Sequence, residues 1–367
     1  MNKAIQSVKG LVRDKVFKIS AILFVLLIAA LAILKLRPEP LGEYRLTEIV
    51  PIGHICHFFA LNDNGQAAGY VQRQGKDYAA IWDKSTGVNV LEIPDSFPSL
   101  AKDINNSGQV CGEVRDPNDK ARAFFRDSNG EIFDIGTLGG RASIVENINE
   151  QGIVVGWSGT STQVVHAFLW TKEQGIRDLD TRGALYSFGH GINDKGQVVG
   201  ILYTAGRKRH AFLWREETGM VDIHDRLKGT ESIAMGITNS GLIYGEYVTA
   251  NNMIRAFVWD KDRGFRDLKM VNEKDDFSPF VITDSGCGVI KTRQERVKMF
   301  GYVFKERKDL SLLLNKILKR QYLYKALPFE TNFFIAYDIN NSGQIIGSAR
   351  ENGIARWYFM TPIERDD

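Results

Sequence analysis

The chain of 367 residues has little cysteine, proline or histidine, with three, nine and six of each. Cys56, Cys111 and Cys287 are far apart, odd in number and free of any Cys-x-x-Cys spacing, so neither a disulfide framework nor a zinc site is indicated. Nine prolines against 35 glycines exclude a proline-rich linker or collagen-like chain. An excess of charge of one sign is missing too. The net +3 comes from residues 1–37, which hold seven Lys/Arg against Asp14 and leave 40 basic and 43 acidic residues in the rest. A body so near neutral lacks the basic footprint of nucleic-acid binding, so no nucleic-acid partner is expected. What is present is ordinary for a globular chain, with 44% hydrophobic and 25% charged residues, and this excludes disorder and multiple membrane spans. Twenty-one Phe, twelve Tyr and six Trp beside many glycines favour aromatic strands joined by tight turns.

Long hydrophobic runs are absent with one exception. Ile19 to Leu34 reads ISAILFVLLIAALAIL without a charge, and the run extends to Leu36 if Lys35 reaches for the headgroups. Lys3, Lys9, Arg13, Lys15 and Lys18 precede it, while only Lys35 and Arg37 follow. This bias predicts a basic cytoplasmic leader (1–18), a transmembrane signal anchor (19–36), a linker (37–43) and a body on the periplasmic or extracellular side of a bacterial inner membrane. The alternative is a signal peptide cleaved after Ala32, within the small-x-small sequence Ala30-Leu31-Ala32, which would secrete the body.

The body repeats. The segment Leu61-Asn62-Asp63-Asn64-Gly65-Gln66-Ala67-Ala68-Gly69 returns at Ile104 to Gly112, Ile148 to Gly156, Ile192 to Gly200, Ile237 to Gly245 and Ile339 to Gly347, with a weaker copy from Ile282. Its first glycines are Gly65, Gly108, Gly152, Gly196, Gly241, Gly286 and Gly343, in steps of 43, 44, 44, 45, 45 and 57. A second block follows, as His166-Ala167-Phe168-Leu169-Trp170, His210-Ala211-Phe212-Leu213-Trp214 and Arg255-Ala256-Phe257-Val258-Trp259. A third block closes each unit, as Asp134-Ile135, Asp178-Leu179, Asp222-Ile223, Asp267-Leu268 and, by the same reading, Asp309-Leu310. The repeat-turn glycines take the positive φ of a tight hairpin, and a constant five-residue step from Trp82, Trp170, Trp214 and Trp259 to a glycine implies a second hairpin.

Four short apolar runs per unit make one four-stranded sheet, and such sheets bury both faces only against neighbours. The fold class expected is therefore all-β, a seven-bladed β-propeller of about 45-residue repeats over 44–367, preceded by one N-terminal transmembrane helix; an open solenoid is the alternative. The last unit lacks an Asp-Leu block, and Tyr44 to Ile49 alternates like a strand, so residues 44–49 are expected to complete the last blade.

The succession Ile-Asn-x-x-Gly-Gln-Val-Val-Gly, His-Ala-Phe-Leu-Trp and Asp-Leu, with Gly136-Thr137-Leu138-Gly139-Gly140 after one copy, resembles the bacterial HAF extracellular repeat family over about residues 60–347. The resemblance implies export and no particular reaction. The histidine is kept at His166 and His210 and replaced by Arg122 and Arg255, which argues against a ring of His ligands. The sixth copy has Ile290 where the second glycine belongs.

Motifs for chemistry are few. His54-x-x-His57 has the spacing of two metal ligands but no third partner nearby, and Asn62-Asp63-Asn64-Gly65 lacks the closing Glu of a calcium loop. Gly-x-Ser-x-Gly, His-Glu-x-x-His and phosphate-loop signatures are all missing. No cofactor, metal or local catalytic motif is expected, although an active site assembled across blades would leave no local trace. The long last step holds a basic segment at about 305–330, where Leu310, Leu313, Leu314 and Ile317 fall at helical spacing opposite Lys316, Lys319 and Arg320. Those three cations are the candidate contacts to a partner or a membrane surface. The reading that follows is an exported, membrane-anchored, non-catalytic protein-interaction scaffold with an unidentified protein partner. A carbohydrate or small-ligand binding propeller is the alternative, and a hydrolase or lyase comes after that.

Overall fold

The computed structural model describes residues 44–49, 55–93, 98–267 apart from 117, 119 and 228, 276–294, 298–305, 334–351 and 354–362. Glu43–Asp367 forms one compact unit. Its sheets follow the repeat. The first blade is β2 (Cys56–Leu61), β3 (Ala67–Arg73), β4 (Lys76–Asp83) and β5 (Gly87–Val90), and the second is β6 (Ser99–Ile104), β7 (Val110–Arg115), β8 (Ala121–Arg126) and β9 (Ile132–Asp134). The third is β10 (Gly139–Ile148), β11 (Val154–Thr160), β12 (Val165–Thr171) and β13 (Gly175–Asp178). The fourth is β14 (Tyr186–Ile192), β15 (Val198–Tyr203), β16 (Arg209–Arg215) and β17 (Gly219–Asp222). The fifth is β18 (Glu231–Ile237), β19 (Ile243–Val248), β20 (Ile254–Asp260) and β21 (Gly264–Asp267). A three-stranded sheet of β22 (Asp276–Ile282), β23 (Cys287–Gln294) and β24 (Lys298–Lys305) comes next. The sixth complete blade joins both ends of this unit, with β25 (Phe334–Ile339), β26 (Ile345–Glu351), β27 (Ile354–Pro362) and, at its outer edge, β1 (Tyr44–Ile49).

The expectation of seven equal blades behind a transmembrane helix is corrected on two points. Six blades are complete, and the sheet between the fifth and the sixth has three strands among the described residues. The register explains the difference. Phe304 pairs with Gly288 as Trp170 pairs with Val154 and Trp214 with Val198. Counted from Phe304, the turn glycine's place falls on Asp309 and the aspartate's on Leu312, so the sequence carries neither signal for a fourth strand there. The Asp309-Leu310 reading is thus three residues out of register, and it lies outside the described residues. On the second point, no helix among the described residues is long and apolar enough to cross a membrane. The apolar run 19–36 lies outside them, as do the leader, the linker and the basic segment from 306 on.

Ring closure takes the form the alternation of 44–49 predicts. β1 runs antiparallel to β27, with Tyr44 opposite Pro362 and Ile49 opposite Trp357. The core lies between neighbouring sheets, not within any one of them. Cys111, Phe125, Val145, Val154, Phe168 and Trp170 pack as one cluster across the second and third blades, and Val199, Leu213, Ile243, Phe257 and Trp259 as another across the fourth and fifth. Phe168, Phe212 and Phe257 are fully buried, each contributing about 2–3 kcal/mol from area removed from water.

Candidate functional site

Each first strand lies beside the first strands of its neighbours, so these strands line the axis. Each ends in the Asn-x-x-Gly turn. Gly65, Gly108, Gly152, Gly196, Gly241, Gly286 and Gly343 all have positive φ, and each donates its N–H to the carbonyl of the Asn or Thr three residues before it. The turn asparagines also reach sideways. Asn62 Nδ2 donates to Asn105 O at 3.0 Å, Asn105 to Asn149 O, Asn149 to Asn193 O, Asn193 to Thr238 O and Asn340 to Asn62 O. The next residue makes a second tier, in which the backbone N–H groups of Asp63, Asn106, Glu150, Asp194, Asn239 and Asn341 donate to the side chains of Asn106, Glu150, Asp194, Asn239, Asp284 and Asp63. Turn carboxylates are thereby used up in holding one blade to the next, which fixes this face as a structural girdle.

The histidines of the second block have a local explanation. His166 Nδ1 stands 2.7 Å from Asp178 Oδ2 and His210 Nδ1 2.7 Å from Asp222 Oδ2, while Arg122 pairs with Asp134 and Arg255 with Asp267 in the same places. The first residue of that block therefore docks on the aspartate of the third, a pairing of His or Arg with Asp that the two separate motifs did not reveal. The alanine beside it donates its N–H to a serine of the next blade, as Ala79 to Ser99, Ala123 to Ser143, Ala167 to Ser187 and Ala211 to Ser232. His57 sits among Phe59, Tyr70, Tyr337 and Trp357 at ring separations of 4.6, 5.7, 4.7 and 4.7 Å, while His54 lies outside the described residues. No group of three or more His, Cys, Asp or Glu among the described residues could hold a metal ion.

A feature that motif searching missed is at the axis. Each first strand carries a β-bulge, and in the second to fourth blades the bulge residues are Lys102, Glu146 and His190. Lys102 Nζ lies 3.9 Å from Glu113 Oε1 and 5.7 Å from the centre of the Phe59 ring. Burial pushes the Glu113 carboxyl up, and Lys102 partly offsets it. Asp103, beside the bulge, accepts hydrogen bonds from Ile104 N, Ile148 N and Asn147 Nδ2, and burial nonetheless pushes its carboxyl up to about 7. His190 Nδ1 is 3.0 Å from Ala234 O; a carbonyl only accepts, so Nδ1 holds the proton, and burial lowers the ring's affinity for a second one. The signal was available: aligned three residues before the turn Asn or Thr, an otherwise constant repeat varies as Phe59, Lys102, Glu146, His190, Met235 and Tyr337.

The two ends of the axis differ. Opposite the girdle, at the start of the first strands, lie the large apolar side chains Ile55, Leu185 and Tyr186, which are 67%, 37% and 39% exposed. Tyr186 continues into a ring series with Tyr203, Phe188 and Trp157. Lys316, Lys319 and Arg320 lie outside the described residues.

This architecture defines a β-propeller. No known family profile matches the chain and no curated protein matches it either, so the likeness to the HAF repeats rests on the sequence blocks alone. Solved structures of similar fold include an oligogalacturonate lyase in complex with manganese, at 12% identity and TM-score 0.55, covering 89% of this chain and 99% of that one. They also include a catalytically inactive virginiamycin B lyase from Staphylococcus aureus with quinupristin, at 10% identity and TM-score 0.51, covering 88% and 100%. TolB from Acinetobacter baumannii aligns at 10% identity and TM-score 0.47 over 81% of this chain, which spans 64% of that one. At these identities the likeness to the two lyases shows the fold alone.

Proposed function

We propose that this propeller is a non-catalytic protein-binding scaffold whose partner docks on the face opposite the turn girdle. One observation carries the reading: the large apolar side chains that are exposed among the described residues, Ile55, Leu185 and Tyr186, all stand at that one end of the axis. Exposed apolar groups gathered on one face, above a scaffold locked on the other, suit a protein surface better than a solvated loop. Export to the outer side of a bacterial inner membrane belongs to the same proposal and rests on the apolar run and charge bias of residues 1–37. The test is a photo-crosslinking residue placed at position 186 or at position 64, in the full-length chain expressed in its own cell. Crosslinks to one defined protein from 186, absent from 64 and abolished by Ile55→Arg, support the reading. Equal products from both positions, or none from 186, overturn it.

A second reading draws on a different observation. The half-buried rings of His57, Phe59, Tyr70 and Tyr337 stand beside Lys102 at the axis, a mixture of flat apolar faces and one cation that suits a glycan or another small polar ligand. Binding of a glycan array by the purified chain, lost with Phe59→Ala, would favour it.

A further inference from the structure

The loop from β17 to β18 lies on the proposed docking face and carries the short turn His224–Arg226. The His224 ring is buried and stacks on the His210 ring, with centroids 4.0 Å apart and planes 22° from parallel. Both rings are held through Nδ1, His210 on Asp222 Oδ2 at 2.7 Å and His224 on Ser232 Oγ at 2.8 Å. Asp222 serves twice, since its Oδ1 accepts the backbone N–H of His224 at 2.8 Å. We propose that this stacked pair is an acid-sensitive latch: it holds the turn in place while the His224 ring is neutral and loosens it when that ring takes a proton.

The charges around the pair are balanced before either ring takes a proton. β16 and the residue before it contribute Lys208 and Arg209, the turn contributes Asp225 and Arg226, β17 contributes Asp222 and β18 contributes Glu231, which pairs with Arg209. Lys208, Asp222 and Asp225 act on the His224 ring, while Arg209 and Glu231 neutralise each other and Arg226 lies over Trp259. Asp222 is already shared between the His210 ring and the His224 backbone, so a proton on His224 finds no unshared carboxylate and is placed against a parallel imidazole at stacking distance. Burial and the His210 charge hold His224 below the ordinary histidine range, in keeping with the geometry. The sign follows. The folded ring binds a proton less readily than the unfolded one, so the stabilisation is complete above the ordinary histidine range and is lost as pH falls through and below it. Ile223 and Leu227 remain anchored in the core, and Arg226 lies over Trp259 at 5.7 Å, so the loosening is confined to the turn.

The third blade supplies an internal control. It has the same pair, His166 on Asp178, and the same backbone bond, Asp180 N to Asp178 Oδ1 at 2.8 Å, but Asp180 stands where the fourth blade has His224. The latch borrows its purpose from the scaffold reading, and its test does not need a partner. Amide exchange of the full-length chain is followed at pH 7.5 and 5.5 and corrected for intrinsic rates. The amides of Arg226 and Leu227, which bond to Ile223 O and His224 O, should open about tenfold more readily at the lower pH, the change that one pH unit of linked protonation gives. Those of Asp178 to Asp180 should not change, and His210→Gln should weaken the acid effect at Leu227, leaving the part that burial of His224 supplies. Equal protection at both pH values, or an acid effect undiminished by His210→Gln, overturns the latch. Failure to find a partner would bear on the scaffold reading alone.

Discussion

The second glycine of the repeat, as at Gly69, Gly112, Gly156, Gly200 and Gly245, should be intolerant of even one added carbon, and Gly200→Ala measures the reason. The bulge at His190 turns the Phe188 carbonyl toward the middle of β15, so a Cβ on Gly200 would fall 1.9 Å from Phe188 O and 2.9 Å from Phe212 Cε1. Close C···O contacts stand at about 3.3 Å, so β14 and β15 would have to part by about 1.4 Å at a fully buried point. Overpacking of this kind costs about 1–3 kcal/mol, and the one or two ladder hydrogen bonds stretched past bonding cost about 1 kcal/mol each. We expect a total of about 2–5 kcal/mol, a large part of a stability that is about 5–15 kcal/mol in ordinary domains. Urea denaturation followed by Trp fluorescence reads it directly, because Trp214 packs between the third and fourth blades. Gly206→Ala is the control: its nearest neighbour would be Thr204 Oγ1 at 3.7 Å, and its cost should stay within about 0.5 kcal/mol. A Gly200→Ala chain within about 1 kcal/mol of the wild type would refute the close-approach argument.

Other outcomes follow from the same geometry. Asn193→Ala removes the amide that donates to Thr238 O and Gln197 Oε1 and accepts from Gln197 N, and should cost about 2–3 kcal/mol in the same denaturation assay. Asp103 binds a proton more readily in the folded than in the unfolded chain, so its contribution is fully present below the ordinary aspartate range and is lost progressively as pH rises from there to about 7. Stability measured between pH 5 and 8 should therefore fall with pH from this source, and Asp103→Asn should flatten the slope. Deleting residues 44–49 leaves the last blade without its outer strand and should broaden the thermal transition; a transition of unchanged midpoint and width would contradict closure by β1.

Most of the architecture was legible because each repeat states its own hairpins. The turn glycines, the Trp-to-Gly step and the strand at Tyr44 are local or periodic signals, and each corresponds to a turn or strand pair in the structure. The three-stranded sheet was misread for an identifiable reason. The Asp309-Leu310 dipeptide imitates the third block, and only the pairing of Phe304 with Gly288 shows that it falls three residues early. In the same sheet the sixth copy has Ile290 in place of the second glycine, and the pairing is interrupted from Ser278 to Val281, a longer break than the two-residue step of the complete blades. The axial group of Lys102, Glu146 and His190 was invisible to motif searching because each blade gives one residue, separated from the next by the whole repeat. The His–Asp pairs were hidden differently. Both halves were seen, as separate blocks twelve residues apart, and the hairpin that folds one onto the other brings them together.

The union of β1 with β27 also sets an order of events in time. Its partners are separated by nearly the whole described chain, Tyr44 facing Pro362, so the last blade cannot exist until the final strand has left the ribosome. Until then the earlier blades wait as an open arc with two raw sheet edges, and contacts of such long sequence separation form slowly. Were the chain exported as proposed above, and unfolded, it would make this join only after the last strand had crossed.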